Sequence, residues 1–155
     1  LKIRMVNPME IFAAKGNALI TRAAARDLYD WCNMLSEGLF EEQRDLFRKC
    51  FLFYMTISAD TLNKAFDTSA IDTLDFNKIR RDLFPVLNKK DNFQLDERKK
   101  IAKNYISDLM VLTSKEKEYL DRFEEKKYMP ELLFEDAEIV ERVKNHPMAL
   151  WKCKE

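Results

Sequence analysis

Lys15 and an Arg-Asp-x-x-Asp cluster, Arg26, Asp27 and Asp30, are the residues whose types and spacing could do chemistry together in this chain. A lysine ammonium suits a nucleotide phosphate as a compact point charge. A carboxylate beside it can act as a base, hold a metal or orient the lysine. Lys15 and Asp30 fall on consecutive predicted helices joined by a short link, so both can reach one site. On a helix turning about 100° per residue, Lys15 lies roughly 40° from Ile11, among Ala14, Ala18 and Leu19, with Arg22 on the same side. That reading puts an ammonium in the packing stripe, where burial is costly unless an anion meets it. The plainer alternative is a lysine whose stem snorkels to the edge of the core. On the second helix Leu28, Trp31, Cys32 and Leu35 form the stripe at i, i+3, i+4 and i+7. Asp30 points nearly opposite to it, beside Arg26 and Asn33, and Asp27 sits at its edge. Here the plainer alternative is a solvated acid, or an i, i+4 pair of Arg26 with Asp30.

The elements that must position these groups read as helical. The chain has 155 residues, of which 46% are apolar and 35% charged, with only two glycines and four prolines. Few breakers among many Ala, Leu, Lys and Glu residues predict a mostly α, multi-helix domain. Its length suits one domain able to bury roughly 70% of its unfolded surface. The net charge is zero, so no bulk field favours nucleic acid. Cys32, Cys50 and Cys153 show no Cys-x-x-Cys spacing and read as reduced thiols of a cytoplasmic protein. Neither a signal peptide nor a run of apolar residues long enough for a membrane span is present.

Along the chain, "LKIRMV" (Leu1 to Val6) predicts a single leading strand, and a lone strand is not stable. It either lies on the helices or closes a sheet whose other strands belong to a missing core. Residues 7–155 then form a single helical domain. Helices are expected over Pro8 to Thr21, Ala24 to Ser36 with a stop at Gly38, and Glu41 to Ser58 with Leu46, Cys50, Phe53 and Ile57 at core spacing. Asp60 to Phe66 reads as a short helix, "DTSAIDT" as a turn, "LDFNKIRRDLFPVL" as a helix ended near Pro85, and "NKKDN" as a loop. A long helix over Phe93 to Leu112 is expected to pack through Ile101, Tyr105, Leu109 and Leu112. Thr113 with Glu116 makes a capping box for a helix to about Lys127. A turn at "PELLF" and helices at "DAEIVERVKN" and "PMALWKCK" close the chain.

The stretch "NPMEIFAAKGNALITRAAARDLYDW", Asn7 to Trp31, resembles the closing motifs of the AbiEii/AbiGii-like nucleotidyltransferase toxins: an acidic residue, a lysine, a short basic stretch, then Arg-Asp-Leu-Tyr-Asp. The tail "ERVKNHPMALWK" looks like the end of bacterial members. The resemblance implies a nucleotidyltransferase core sheet followed by a helical C-terminal region. It implies transfer of a nucleotide from an NTP, with Mg2+, to an acceptor such as tRNA. It also implies neutralisation by a separate antitoxin protein and, for some members, phage defence. Carried over by position, Lys15 holds the triphosphate, Asp30 is the late acid acting as base or its positioner, Asp27 is the second candidate for that role, and Arg26 steadies the acid or contacts phosphate. Glu10 fits the family's acidic position without a catalytic step. The family's earlier motifs, a Gly-Ser turn and an Asp-x-Asp pair for metal, have no counterpart here, since "DTLD" (Asp72 to Asp75) has the wrong spacing and follows the lysine. The chain is therefore expected to be the C-terminal part of such an enzyme, with no metal site of its own and no turnover alone. The rival reading is a non-catalytic helical protein-interaction module.

The remaining chemistry-bearing residues read plainly. His146 precedes Pro147 and is expected to cap a helix. The cysteines are not spaced for zinc, and no cysteine stands out as partner of a Cys–His nucleophile pair. Arg98, Lys99, Lys100 and Lys103, interleaved with Tyr105, can face nucleic acid or form the wet side of a helix. Aromatic residues from Phe47 to Phe84 are expected mainly in the core. Any left exposed by the missing part would favour dimerisation.

Overall fold

Helix α1 (Pro8–Thr21) begins with proline at its first position, where the fixed φ suits a helix and the missing N–H costs nothing. The computed structural model describes residues 8–58, 62–75, 77, 81 and 95–154, and among these no residue lies in a strand. The chain is mostly α-helical, as its composition predicts. The leading strand, the segment near Pro85 and the "NKKDN" loop fall outside the described residues, apart from Asn77 and Arg81, which are helical.

After α1 come α2 (Ala25–Ser36), a 3₁₀ turn (Glu41–Gln43), α3 (Arg44–Ser58) and the short α4 (Ser69–Asp72). Then follow α5 (Leu95–Leu109), α6 (Ser114–Glu124), a second 3₁₀ turn (Pro130–Leu132), α7 (Ala137–Val143) and α8 (Pro147–Lys152). Two expectations are corrected here. Residues 62–66 form a turn rather than a helix, and "DTSAIDT" contains α4 rather than only a turn. The Asn63 side chain closes the turn, its Oδ1 accepting from Asp67 N–H at 3.0 Å, and the Asp67 carboxylate accepts from the N–H and hydroxyl of Ser69 at the entry to α4.

Caps fix most of the boundaries. Gly38 at φ +65° ends α2, with Leu39 N–H donating to the Met34 carbonyl. Thr113 and Glu116 form the expected reciprocal box on α6. Nδ1 of His146 accepts from Met148 N–H at 3.2 Å, so this histidine caps α8 as expected.

α3 is the spine. Phe47 and Phe51 enter one hydrophobic cluster with α1, α2, α4 and α5. Leu52, Phe53, Met55 and Ile57 enter a second with α6, Phe134 and α8. Leu46 and Cys50, expected at core positions, are only half-buried. In α5 the packing residues are Ala102, Ile106 and Leu109, while Ile101 is 41% exposed, a correction to the expected stripe.

Candidate functional site

The site residues follow from how α1 and α2 meet. The packing face of α1 is Met9, Ala13, Gly16, Asn17 and Ile20, flanked by Leu19. It lies on the side of the helix opposite Ile11, which is 41% exposed. The expectation that Lys15 stands inside the stripe is therefore corrected. α1 carries apolar residues around most of its circumference, so hydrophobic spacing does not choose a face. Bare backbone at Gly16 and the Asn17 amide choose it: the Asn17 side chain donates to the Phe51 carbonyl at 3.0 Å and ties α1 to α3.

Lys15 consequently emerges at the rim between α1 and α2. Its Nζ donates to Oδ2 of Asp30 at 2.8 Å. The two side chains are 33% and 37% exposed, so the pair is open to solvent. The structure thus brings the predicted lysine and late acid together. Asp30 takes Lys15 and not Arg26, which is exposed. The link between the helices is tight. Ala23 turns at φ 51° while 3% exposed, an uncommon backbone for a residue with a Cβ.

Asp27, one turn ahead of Asp30, is 7% exposed. Its Oδ2 finds no hydrogen-bond partner among the described residues. Burial pushes its carboxyl above the usual range, with the charges of Lys15 and Arg22 opposing and that of Asp30 adding. The arginine whose charge acts on Asp27 is Arg22, in the link that follows α1. Because the folded state holds the Asp27 proton more tightly than the unfolded one, this group favours folding most below the ordinary carboxyl range. That contribution is lost as pH rises through the raised value. Asp27→Asn should therefore stabilise the fold by about 1–2 kcal/mol at neutral pH and remove that part of the pH slope. Urea titrations at several pH values check this, and an equal or less stable variant would contradict it.

Glu10 faces elsewhere. It is half-buried beside the Tyr54 hydroxyl, where burial first and its carboxylate second push the tyrosine up to about 12. The cysteines are free, and burial raises all three thiols, Cys50 up to about 12. Lys103 is held by Asp72 at 2.9 Å and Lys99 donates to the Asp72 backbone carbonyl, which ties the expected basic face to α4. Sequence reasoning missed a cluster of buried charges between α3 and α6. Arg48 and Lys49 close on Glu116 at 2.9 and 3.1 Å. Only the capping box marked Glu116, and nothing local linked it to α3.

Among the described residues no group of three or more His, Cys, Asp or Glu side chains is placed to hold a metal ion. Asp27 and Asp30 are two carboxylates, one of them engaged by Lys15. The described residues therefore do not by themselves fit a metal centre.

What the rim can do is present a cation that an incoming anion can recruit. An open ion pair of this kind is worth roughly 0–1 kcal/mol. A phosphate carrying more charge than one carboxylate can compete for the ammonium.

A helical body with this lysine–acid rim matches, over residues 1–126, the family model of the nucleotidyl transferase AbiEii toxin of Type IV toxin–antitoxin systems. The chain belongs to that family. Searches of curated proteins and of solved structures returned no match. The matched stretch takes in α1 to α6 and stops short of α7 and α8, where the tail "ERVKNHPMALWK" lies. No helix of the described residues is long and apolar enough to cross a membrane.

Proposed function

We propose that this chain contributes the phosphate-binding lysine and the late acid to a composite nucleotide-transfer site. Lys15 holds the triphosphate of an NTP. Asp30 orients the ammonium in the resting state and acts as base, or positions the base, when phosphate takes the lysine. Asp27 is the alternative acid, and Arg22 and Arg26 add positive charge at the entrance. The Gly-Ser turn and the metal-binding carboxylates come from outside these 155 residues, so the chain alone does not turn over. Any Mg2+ is held there. The nucleotide goes to an acceptor such as tRNA, in the cytoplasm of a bacterium, under control of an antitoxin. A role in phage defence follows the same family reading.

The observation that carries this reading is the 2.8 Å contact between Lys15 and Asp30 at a solvent-open rim. An exposed ion pair also occurs as a purely structural contact, so the response to nucleotide separates the two readings. Titration of the chain with ATP, followed by NMR shifts of the α1–α2 rim, tests it. Shifts centred on Lys15 and absent in Lys15→Ala are expected. ATP shifts that survive Lys15→Ala, or none in the unsubstituted chain, would refute the phosphate role.

A further inference from the structure

Lys15 and Asp30 are each followed in sequence by a residue that fixes how α1 meets α2. A Cβ added at Gly16 would stand 2.2 Å from Cζ2 and 2.8 Å from Cε2 of Trp31, and 2.5 Å from Cε2 of Phe51. No side chain fits in that space, so the α1 backbone rests directly on the indole. The indole is itself fixed. Its Nε1 donates to the Phe12 carbonyl of α1 at 2.8 Å. Phe51 and Tyr105 meet the ring edge-on, with centroids 5.9 and 5.7 Å away, and Trp31 is 0% exposed.

Two constraints of different kinds therefore act between the helices. Steric contact at Gly16 sets how close they come. The hydrogen bond to Phe12, one turn earlier, sets their relative rotation and slide. Gly16 adjoins Lys15 on α1 and Trp31 adjoins Asp30 on α2. A shift of one helix past the other by a single ångström would part a 2.8 Å contact, and misplacement on that scale is enough to disable a reacting group.

We propose that Trp31 and Gly16 are the positioning residues of the Lys15–Asp30 site. The indole, seated on bare α1 backbone and bonded to Phe12, holds the lysine and the acid in register. The proposal rests on the reading of that pair as a nucleotide site. It differs from a purely structural role in what it says about the pair: a core tryptophan that only fills space can be trimmed at a cost in stability without moving Lys15 from Asp30.

Crystal structures of the whole chain carrying Trp31→Phe and Gly16→Ala, with an ATP titration of each, test this. Trp31→Phe keeps an aromatic ring in the core and removes the indole N–H. Expected is a folded, less stable protein in which the Lys15 Nζ to Asp30 Oδ2 separation exceeds about 4 Å, the limit of an ion pair. ATP affinity should fall about tenfold or more. Gly16→Ala should open the same contact, and if it does not fold, Trp31→Phe carries the test alone. A folded Trp31→Phe protein that keeps the pair near its present distance would overturn the proposal, even if ATP binding in the unsubstituted chain depends on Lys15. A pair that opens in a chain that never binds ATP would uphold the positioning role and sink the nucleotide reading instead.

Discussion

Glu116→Ala should cost about 3–5 kcal/mol of stability, the range expected when one partner of a buried ion pair is removed. Glu116 is 0% exposed. Its Oε1 accepts from Arg48 Nε at 2.9 Å and from the Thr113 N–H at 2.9 Å, and Lys49 Nζ stands 3.1 Å from Oε2. The Arg48 and Lys49 side chains are only 10% and 15% exposed. Truncation would strand a guanidinium and an ammonium near dry surroundings and open the cap of α6. Asp45, which Arg48 also reaches at 2.9 Å, is 84% exposed and compensates little. Thermal and urea unfolding read the loss directly, and a change below about 1 kcal/mol would contradict the account.

The same group sets an acid dependence. Burial raises the Glu116 carboxyl, but hydrogen bonds from Arg48 and the Thr113 backbone, with the Lys49 ammonium close to Oε2, outweigh it and hold the carboxyl below its ordinary value. A folded value below the unfolded one means the contribution is full above the ordinary carboxyl range and is lost as pH falls through the folded value. Glu116→Gln keeps an acceptor for the cap but not the charge. It should flatten that acid limb while remaining more stable than Glu116→Ala. Asp27 has the opposite sign, so the two slopes can be separated by single substitutions.

Lys15→Ala and Asp30→Ala should each lower nucleotide transfer by a complete enzyme of this sequence by about 10²–10³-fold, the cost of losing one preorganised electrostatic group. Stability should change little, because the pair is one-third exposed and surface pairs contribute about 0–1 kcal/mol. The double substitution should cost little more activity than either single one, since groups that act as a unit are not additive. Transfer of labelled nucleotide to RNA, measured beside urea unfolding, separates the two effects. A stability loss well beyond about 3 kcal/mol in the double variant would mark the residues as scaffold instead.

The sequence by itself determined what is local. Pro8 opening α1, Gly38 closing α2, the Thr113–Glu116 box and the His146 cap were all legible, because a cap needs only its own four or five residues. For Lys15 and Asp30 the sequence showed only that two helices on a short link can bring them together; the contact itself, and the face of α1 that permits it, came from the structure. What only the tertiary structure decided is which face of each helix turns inward. α1 is apolar almost all round, and its buried face was chosen by Gly16 fitting Trp31 and by the Asn17 bond to Phe51. In α5 the inward turn of Ala102 and Ile106 left Ile101 at the surface. The Arg48–Glu116 pair joins residues far apart in the chain, and the charges that oppose the raised Asp27 carboxyl, Lys15 and Arg22, come from the preceding helix and its link. Hydrophobic period and capping are properties of a segment, whereas close approach, charge pairing and desolvation belong to pairs of segments. A single sequence window contains no partner.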